Sequence, residues 1–185
     1  MENRAAADEP LELKGSIMIQ LETIRAFFRY DDWANDRVLL AAGPLTDEQL
    51  DRSFEMGRGS LRKTLVHILC AEQVWVQRWQ GHAETPWPDE GERAGVAAIV
   101  ERLREAQRVR EVFLSDVRDD ALDREIEYRD SFGGLFSAAL GDMMLQLCNH
   151  STHHRAQAVN MIRRIGGSPP ELDYMYWRLR RTHGD

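Results

Sequence analysis

The sequence predicts an all-α protein built as a four-helix bundle. Three observations support this prediction: four long segments have apolar residues at helical spacing, the breaks between them contain Gly or Pro, and only one short stretch alternates as a strand does. Helices that each bury one face pack together around a common core. We interpret residues 17–181 as one bundle domain and the acidic, polar residues 1–16 as a flexible leader.

The first two helices lie in the N-terminal third of the chain. Residues 17–42 place apolar side chains along one helical face, and Gly43-Pro44 ends this pattern. Thr46 then precedes Gln49 by three positions, which is a capping box, a pair of residues whose side chains bond each other's backbone N–H. A short helix should therefore follow Thr46.

The next two helices are long. Residues 60–80 follow a Gly-Arg-Gly loop, with Ser60 as the cap, and they are apolar on more than one side, so this helix should be deeply buried. Residues 91–117 have one apolar face, and their many Glu and Arg side chains are typical of a solvated face.

The C-terminal third contains the last long helix. Residues 125–128 alternate and a Gly-Gly pair follows them, so a short extended piece is expected before that helix. The helix is predicted over residues 137–166, where a second Gly-Gly pair ends it. Residues 171–181 should form a short terminal helix.

Composition narrows the class of protein. Hydrophobic residues make up 43% and charged residues 30% of the chain, as in folded soluble domains. The net charge of −7 argues against nucleic acid as a partner, because phosphate binding requires a basic face. We expect no membrane association either, since no apolar stretch could span a bilayer and no secretory signal is present. Cys70 and Cys148 lie in apolar helical patterns and fit packing residues of a cytoplasmic protein.

The candidate functional residues are histidines of the last long helix. At about 100° per residue, His150 and His154 point together toward the edge of its apolar face, whereas His153 points toward solvent. Two imidazoles buried side by side need partners for their nitrogens and repel each other if both are protonated. A shared metal ion meets both needs, because each neutral ring donates a lone pair. The alternative is a pair that is partly exposed or hydrogen-bonded.

A two-histidine site needs a third ligand from another helix. His67 is the only other histidine inside a predicted core helix, although it lies well round from the main apolar stripe of that helix. Glu72 remains an alternative ligand. The pattern is not the His-Glu-x-x-His motif of zinc proteases, since Ser151 stands where that motif has its glutamate.

Three motifs occur in order along the chain: Trp33-Ala34-Asn35 in the first helix, Leu-Val-His67-Ile-Leu followed by Glu72 and Trp75, and the run from His150 to Gln157 that contains His154-Arg155. Over about residues 17–180, the sequence resembles the DinB/YfiT-like family of small helical metalloproteins. Ala156 is a departure, since the family commonly has Gly there. Ala suits a helix better than Gly, so the change should be mild.

The resemblance implies a four-helix bundle with up-up-down-down connectivity. It also implies one divalent metal ion held by three histidines, here His67, His150 and His154, at an open end of the bundle. Zinc or nickel are the first candidates for the metal, with iron or copper as alternatives, because neutral imidazoles suit all four.

Three protein ligands leave a coordination position open, as in catalytic zinc-type sites. Related families use low-molecular-weight thiols, so we expect a metal-dependent enzyme of thiol-transferase or hydrolase type, with a small-molecule substrate and a thiol as a candidate cofactor. Asn149, Arg155 and Gln157 are candidates to orient the ligand histidines, a solvated helix face being the alternative for Arg155 and Gln157.

Two other interpretations compete with the enzyme. One is a non-enzymatic metal-binding or stress-response interaction protein, and the other is a bundle whose clustered histidines bind no metal. A homodimer formed through helix faces is an expectation for this kind of family, and it is compatible with each of the three.

Overall fold

Four long helices form a bundle in the computed structural model, which describes residues 19–90 and 93–179. The long helices are α1 (Leu21–Ala42), α3 (Leu61–Trp79), α4 (Val96–Asp116) and α5 (Leu140–Arg164), and the short ones are α2 (Asp47–Asp51) and α6 (Tyr174–Arg178). A 3₁₀ turn (Asp119–Ala121) and two antiparallel strands, β1 (Glu125–Arg129) and β2 (Leu135–Ala139), lie between α4 and α5. The predicted all-α four-helix bundle is confirmed. The predicted leader, residues 1–16, lies outside the described residues.

The core consists of two hydrophobic clusters, and every long helix contributes to both. The lower cluster contains Phe28, and the upper cluster contains Val38, so α1 runs upward from one to the other. α5 runs the same way, from Leu140 to Ile162, whereas α3 and α4 run downward. The order of directions is therefore up-down-down-up. The resemblance implied the order up-up-down-down, and starting that cycle at its second helix gives the order of this bundle.

The connection from α3 to α4 runs along the side of the bundle, because α3 ends beside the lower cluster and α4 begins beside the upper one. Trp87 of this connection packs against both clusters. Near its end, the guanidinium of Arg62 donates to the carbonyl oxygen of Ala94 at 2.7 Å. The connection therefore passes over the middle of α3, which is where the histidine motif of that helix lies.

A layer of buried charges separates the two clusters. Arg110 of α4 donates to Glu72 of α3 and to Asp32 of α1, with N–O distances of 2.6 Å for both. Arg155 of α5 donates to Asp31 of α1. Arg110 and Arg155 are 0% and 2% exposed, so the solvated face expected for the charged residues of α4 is wrong for Arg110, and the solvated alternative for Arg155 is excluded. Each guanidinium can be buried because carboxylates on a neighbouring helix compensate its charge.

The start of α5 differs from the prediction. Ser137, where the helix was expected to begin, lies in β2 opposite Glu127 of β1. α5 begins at Leu140, whose N–H donates to the carbonyl of Arg124 at 3.0 Å, and the N–H of Gly141 donates to the carbonyl of Leu122 at 2.9 Å. These carbonyls pair two of the first N–H groups, which a helix cannot pair itself.

Two other boundaries also shift. α4 begins at Val96 rather than near residue 91, and α6 begins at Tyr174 rather than at residue 171 and ends at Arg178. Residues 180–181 of the predicted terminal helix lie outside the described residues. The capping box of Thr46 and Gln49 is present at the start of α2, as predicted. In the two described ranges, no helix is both long and apolar enough to cross a bilayer.

Candidate metal centre

The three predicted histidines meet between α3 and α5. The ring centroids of His67 and His150 lie 4.9 Å apart, and both rings lie 4.4 Å from the ring of His154. The Nε2 atoms of His67 and His150 are 3.1 Å apart, and one ring nitrogen from each residue lies within 4.8 Å of the others. These distances allow one small ion to contact all three rings.

Helix geometry explains which histidines take part. His150 and His154 are one turn apart on α5 and share the side that packs on α3, whereas His153 is exposed, as predicted. His67 lies away from the main apolar stripe of α3. This position is still buried, because α3 is buried on most of its sides and the side that carries His67 packs on α5. The site therefore lies halfway along α5. The resemblance implied a site at an open end of the bundle.

Hydrogen bonds fix the orientation of two of the rings. Nδ1 of His67 lies 2.5 Å from Oε1 of Glu90, a carboxylate that can only accept, so Nδ1 carries a proton, and in the neutral ring Nε2 carries the lone pair. Nδ1 of His154 lies 2.8 Å from Oε1 of Gln157, whose amide group faces His153 at 2.9 Å. His154 therefore also presents Nε2 as a lone pair. Such outer partners orient metal-binding histidines in known sites.

Of the three residues predicted to orient the histidines, only Gln157 contacts one of the three rings. Arg155 points away from them into the charge layer, where it also donates to Ser151 at 2.7 Å. Asn149 lies on the exposed side of α5. Glu72, the alternative ligand, is held by Arg110 and is absent from the histidine group.

Sequence reasoning missed Glu90, which links His67 to Trp87 and Arg58. Its Oε1 accepts from the indole N–H of Trp87 at 2.5 Å as well as from His67, and its Oε2 accepts from Nε of Arg58 at 3.0 Å. The ring of Trp87 lies 5.1 Å from that of His67. Trp87 was missed as well, and it belongs with Glu90 to the α3–α4 connection. No periodic pattern marks a loop residue whose position depends on the path of the chain.

The electrostatics keep the cluster in the form that binds metals. Burial lowers the pKa of His150 to about 3 and that of His154 to about 4, with the other histidines adding to both shifts. Burial opposes the ionisation of Glu90, but hydrogen bonds from His67 and Trp87 and the charge of Arg58 together hold the pKa of this carboxyl below its ordinary value. At neutral pH, His150 and His154 are therefore neutral and Glu90 is ionised.

These residues fit a divalent metal ion. The Nε2 lone pairs of His67 and His154 lie beside His150, whose Nδ1 is buried without a hydrogen-bond partner among the described residues. A cation between the rings turns repulsion between lone pairs into attraction, and it compensates the buried imidazole of His150. The cysteines offer no competing ligand, since both are buried and burial raises the pKa of the Cys148 thiol.

Fold and site together define a class: a small helical-bundle protein with three imidazoles converging from two of its helices. The model of the DinB family matches residues 18–182, and the chain belongs to that family. Protein DinB of Bacillus subtilis (strain 168) is 18% identical over 170 residues, which cover 84% of this chain and 94% of that protein.

Two solved structures share the fold. A DinB-like protein from Bacillus cereus ATCC 10987 superposes with a TM-score of 0.66 at 22% identity, covering 84% of this chain and 99% of that one. YfiT from Bacillus subtilis superposes with a TM-score of 0.64 at 18% identity, covering 84% and 94% of the two chains. YfiT is characterised as a probable metal-dependent hydrolase with an unusual four-helix bundle topology.

Proposed function

We propose that this protein is a metal-dependent enzyme of the thiol-transferase or hydrolase type, with one divalent ion bound by His67, His150 and His154. The observation that supports this most directly is the convergence of the three rings, two of which present lone pairs fixed by Glu90 and Gln157. The likeness to YfiT supports metal-dependent hydrolysis as one form of the chemistry.

Each residue has a distinct role in this proposal. The three histidines hold the ion, Glu90 and Gln157 hold the Nδ1 protons of His67 and His154, and Trp87 covers one side of His67. When bound, an ion with an open position supplies Lewis acidity, which polarises a carbonyl or lowers the pKa of a water or thiol. Zinc or nickel are the proposed metals, with iron or copper as alternatives.

The remaining proposals concern partners and location. We propose a small-molecule substrate, a low-molecular-weight thiol as co-substrate in the transferase form, and a cytoplasmic protein with no nucleic-acid or membrane partner. The acidic net charge supports the exclusion of nucleic acid. A homodimer is compatible with exposed apolar residues such as Phe132 and Tyr176, which are 90% and 62% exposed.

A non-enzymatic metal-binding protein is the competing proposal. It is favoured by the shielding of the site, since His67 and His154 are only 9% and 8% exposed. The two proposals differ in one measurable property: an enzyme needs a metal position that exchanges with small ligands, and a purely structural or storage site does not.

Elemental analysis of the untagged protein is the first test. We expect about one transition-metal ion per chain in the wild type, and loss of the ion in the His150→Ala/His154→Ala variant, because one remaining histidine cannot hold it. His82→Ala is the matched control, since His82 is exposed and its ring contacts Gln77 rather than the three site histidines. Circular dichroism verifies that each variant retains its helices.

The outcomes separate the proposals. A wild type that binds none of several offered divalent metals contradicts the metal site and the enzyme together. A metal that is bound while azide and thiols leave its spectrum unchanged favours the non-enzymatic binder. A metal-dependent turnover of thiols with electrophiles, or of amides and esters, that His154→Ala abolishes supports the enzyme.

A further inference from the structure

Arg58 is a half-exposed cationic side chain beside the histidine site. It lies in the loop between α2 and α3, and its Nε donates to Oε2 of Glu90 at 3.0 Å. The other oxygen of the same carboxylate accepts from His67. One carboxylate group therefore separates the guanidinium from a ring of the metal site.

The loop that carries Arg58 packs against the second histidine helix. The preceding residue, Gly57, has φ +54°, and a Cβ there would lie 2.8 Å from Oε1 of Gln157, so the loop rests directly on the partner of His154. The charge of Arg58 also acts on His154, where it is one of the causes that lower the pKa. The guanidinium is thus linked to His67 through Glu90, and its loop is linked to His154 through Gln157.

The ion pair with Glu90 uses only one edge of the guanidinium. The side chain of Arg58 is 48% exposed, and its two terminal NH₂ groups have no partner among the described residues. By contrast, the buried guanidiniums of Arg110 and Arg155 each bond several acceptors. A guanidinium whose terminal NH₂ groups bond no described residue is suited to binding a carboxylate through two parallel hydrogen bonds.

We propose that Arg58 determines specificity by binding a carboxylate on the small molecule whose other end binds the metal ion. The substrates would then be small carboxylate-bearing anions. This inference rests on the proposed function, since it requires an ion at the three histidines. It adds a substrate class and a residue that selects it.

The test uses the cobalt-loaded protein and two thiols that differ in one group. Mercaptoacetate carries a thiol and a carboxylate, and 2-mercaptoethanol carries a thiol and a neutral hydroxyl. Binding of each is followed by the cobalt–thiolate absorption, without any turnover. In Arg58→Gln we expect the affinity for mercaptoacetate to fall about tenfold and that for 2-mercaptoethanol to change less than about twofold, because a charge-assisted hydrogen bond is lost only with the first.

The ratio of the two affinities is the decisive quantity. A general disturbance of Glu90 and His67 would weaken both thiols equally and leave the ratio unchanged, which would overturn the role of Arg58. Arg108→Gln is the matched control, because Arg108 is exposed and pairs with Glu105 on α4; it should keep the wild-type ratio. Failure of the wild type to bind cobalt overturns the proposed function and this inference together. Cobalt binding with no preference for the carboxylate overturns this inference alone.

Discussion

Gln157 shows how a single side chain sets the chemistry of the site. Its amide oxygen accepts from His154 and its amide nitrogen faces His153, so neither end is free to rotate. This arrangement selects the tautomer of His154 that directs a lone pair toward His67 and His150. Without it, the ring can rotate or place its proton on the nitrogen that faces the metal.

We therefore predict that Gln157→Ala weakens metal binding by about 10- to 100-fold while leaving the helical content unchanged, which is the usual effect of removing an outer partner of a ligand histidine. The measurement is a competition titration against a chromophoric chelator. Gln146→Ala is the control, since Gln146 lies on the exposed side of the same helix. Equal affinities in the two variants would show that packing alone orients His154.

At the scale of elements, the loop before α3 supports Gln157 from outside the bundle. Gly57 has positive φ, and a Cβ at this position would meet Oε1 of Gln157 at 2.8 Å as well as Met161 and Thr64 at 3.2 Å. Only glycine satisfies both the backbone conformation and the close approach. The conformation of the loop at Gly57 and the orientation of the His154 ring are therefore linked through the side-chain amide of Gln157.

Two glycine substitutions separate backbone strain from this contact. Gly57→Ala and Gly59→Ala both place alanine at positive φ, so each should lower the free energy of unfolding by about 1–2 kcal/mol. Only Gly57→Ala should also weaken metal binding, because nothing lies within 4 Å of a Cβ at Gly59. Chemical denaturation and the same chelator competition measure the two effects. Loss of metal affinity in both variants would trace the effect to the loop backbone.

Local patterns predicted the elements and ligands that depend on one helix. The pairing of His150 with His154, and the exposure of His153, follow from the turn of α5 alone, and the structure agrees. The start of α5 could not be predicted from local patterns, because it depends on contacts with an earlier segment. β1 pairs with β2, and the carbonyls of Arg124 and Leu122 cap the helix. Glu90 was missed for the same kind of reason: the route of a connection across the bundle decides which loop residue meets His67.

At the scale of the whole molecule, the charge layer joins motifs that are distant in sequence. Asn35 of the Trp-Ala-Asn motif donates to Asp31 at 3.0 Å, and Asp31 accepts from Arg155 of the second histidine motif. This contact fixes α1 against α5 beside His154. Helical periodicity could not predict the layer, since a buried Arg and a solvated Arg have the same spacing until the partner helix is known.

The layer contains more negative than positive charge. Among the described residues, Arg110 pairs with Asp32 and Glu72 and Arg155 pairs with Asp31, so three carboxylates share two cations. Burial raises the pKa of Glu72 to about 7 and that of Asp32 to about 6; Arg110 opposes both shifts, and neighbouring carboxylates add to them. The folded protein therefore retains protons on this layer at a pH where the unfolded chain has released them.

The sign of the stability change follows from these values. Glu72 titrates near 4.5 when unfolded and near 7 when folded, so its contribution is complete below pH 4.5 and is lost as the pH rises through 7. His150 and His154 act in the opposite direction in the metal-free protein, because their lowered pKa values cost stability as the pH falls below 6.5. The pH dependence of the wild-type stability alone therefore cannot separate the contribution of the charge layer from that of the histidines.

Comparing the stability of the wild type with that of Glu72→Gln isolates the contribution of Glu72, because glutamine mimics the protonated carboxyl. We predict that the metal-free variant differs least from the wild type near pH 5 and gains on it toward pH 8, by about 2–3 kcal/mol in the free energy of unfolding, since each pKa unit corresponds to 1.36 kcal/mol. Urea denaturation at several pH values measures this difference. Glu105→Gln, an exposed change on α4, should show a constant difference over the same range. A constant difference for Glu72→Gln as well would mean that Arg110 keeps Glu72 ionised throughout, and the third carboxylate of the layer would then be fully compensated.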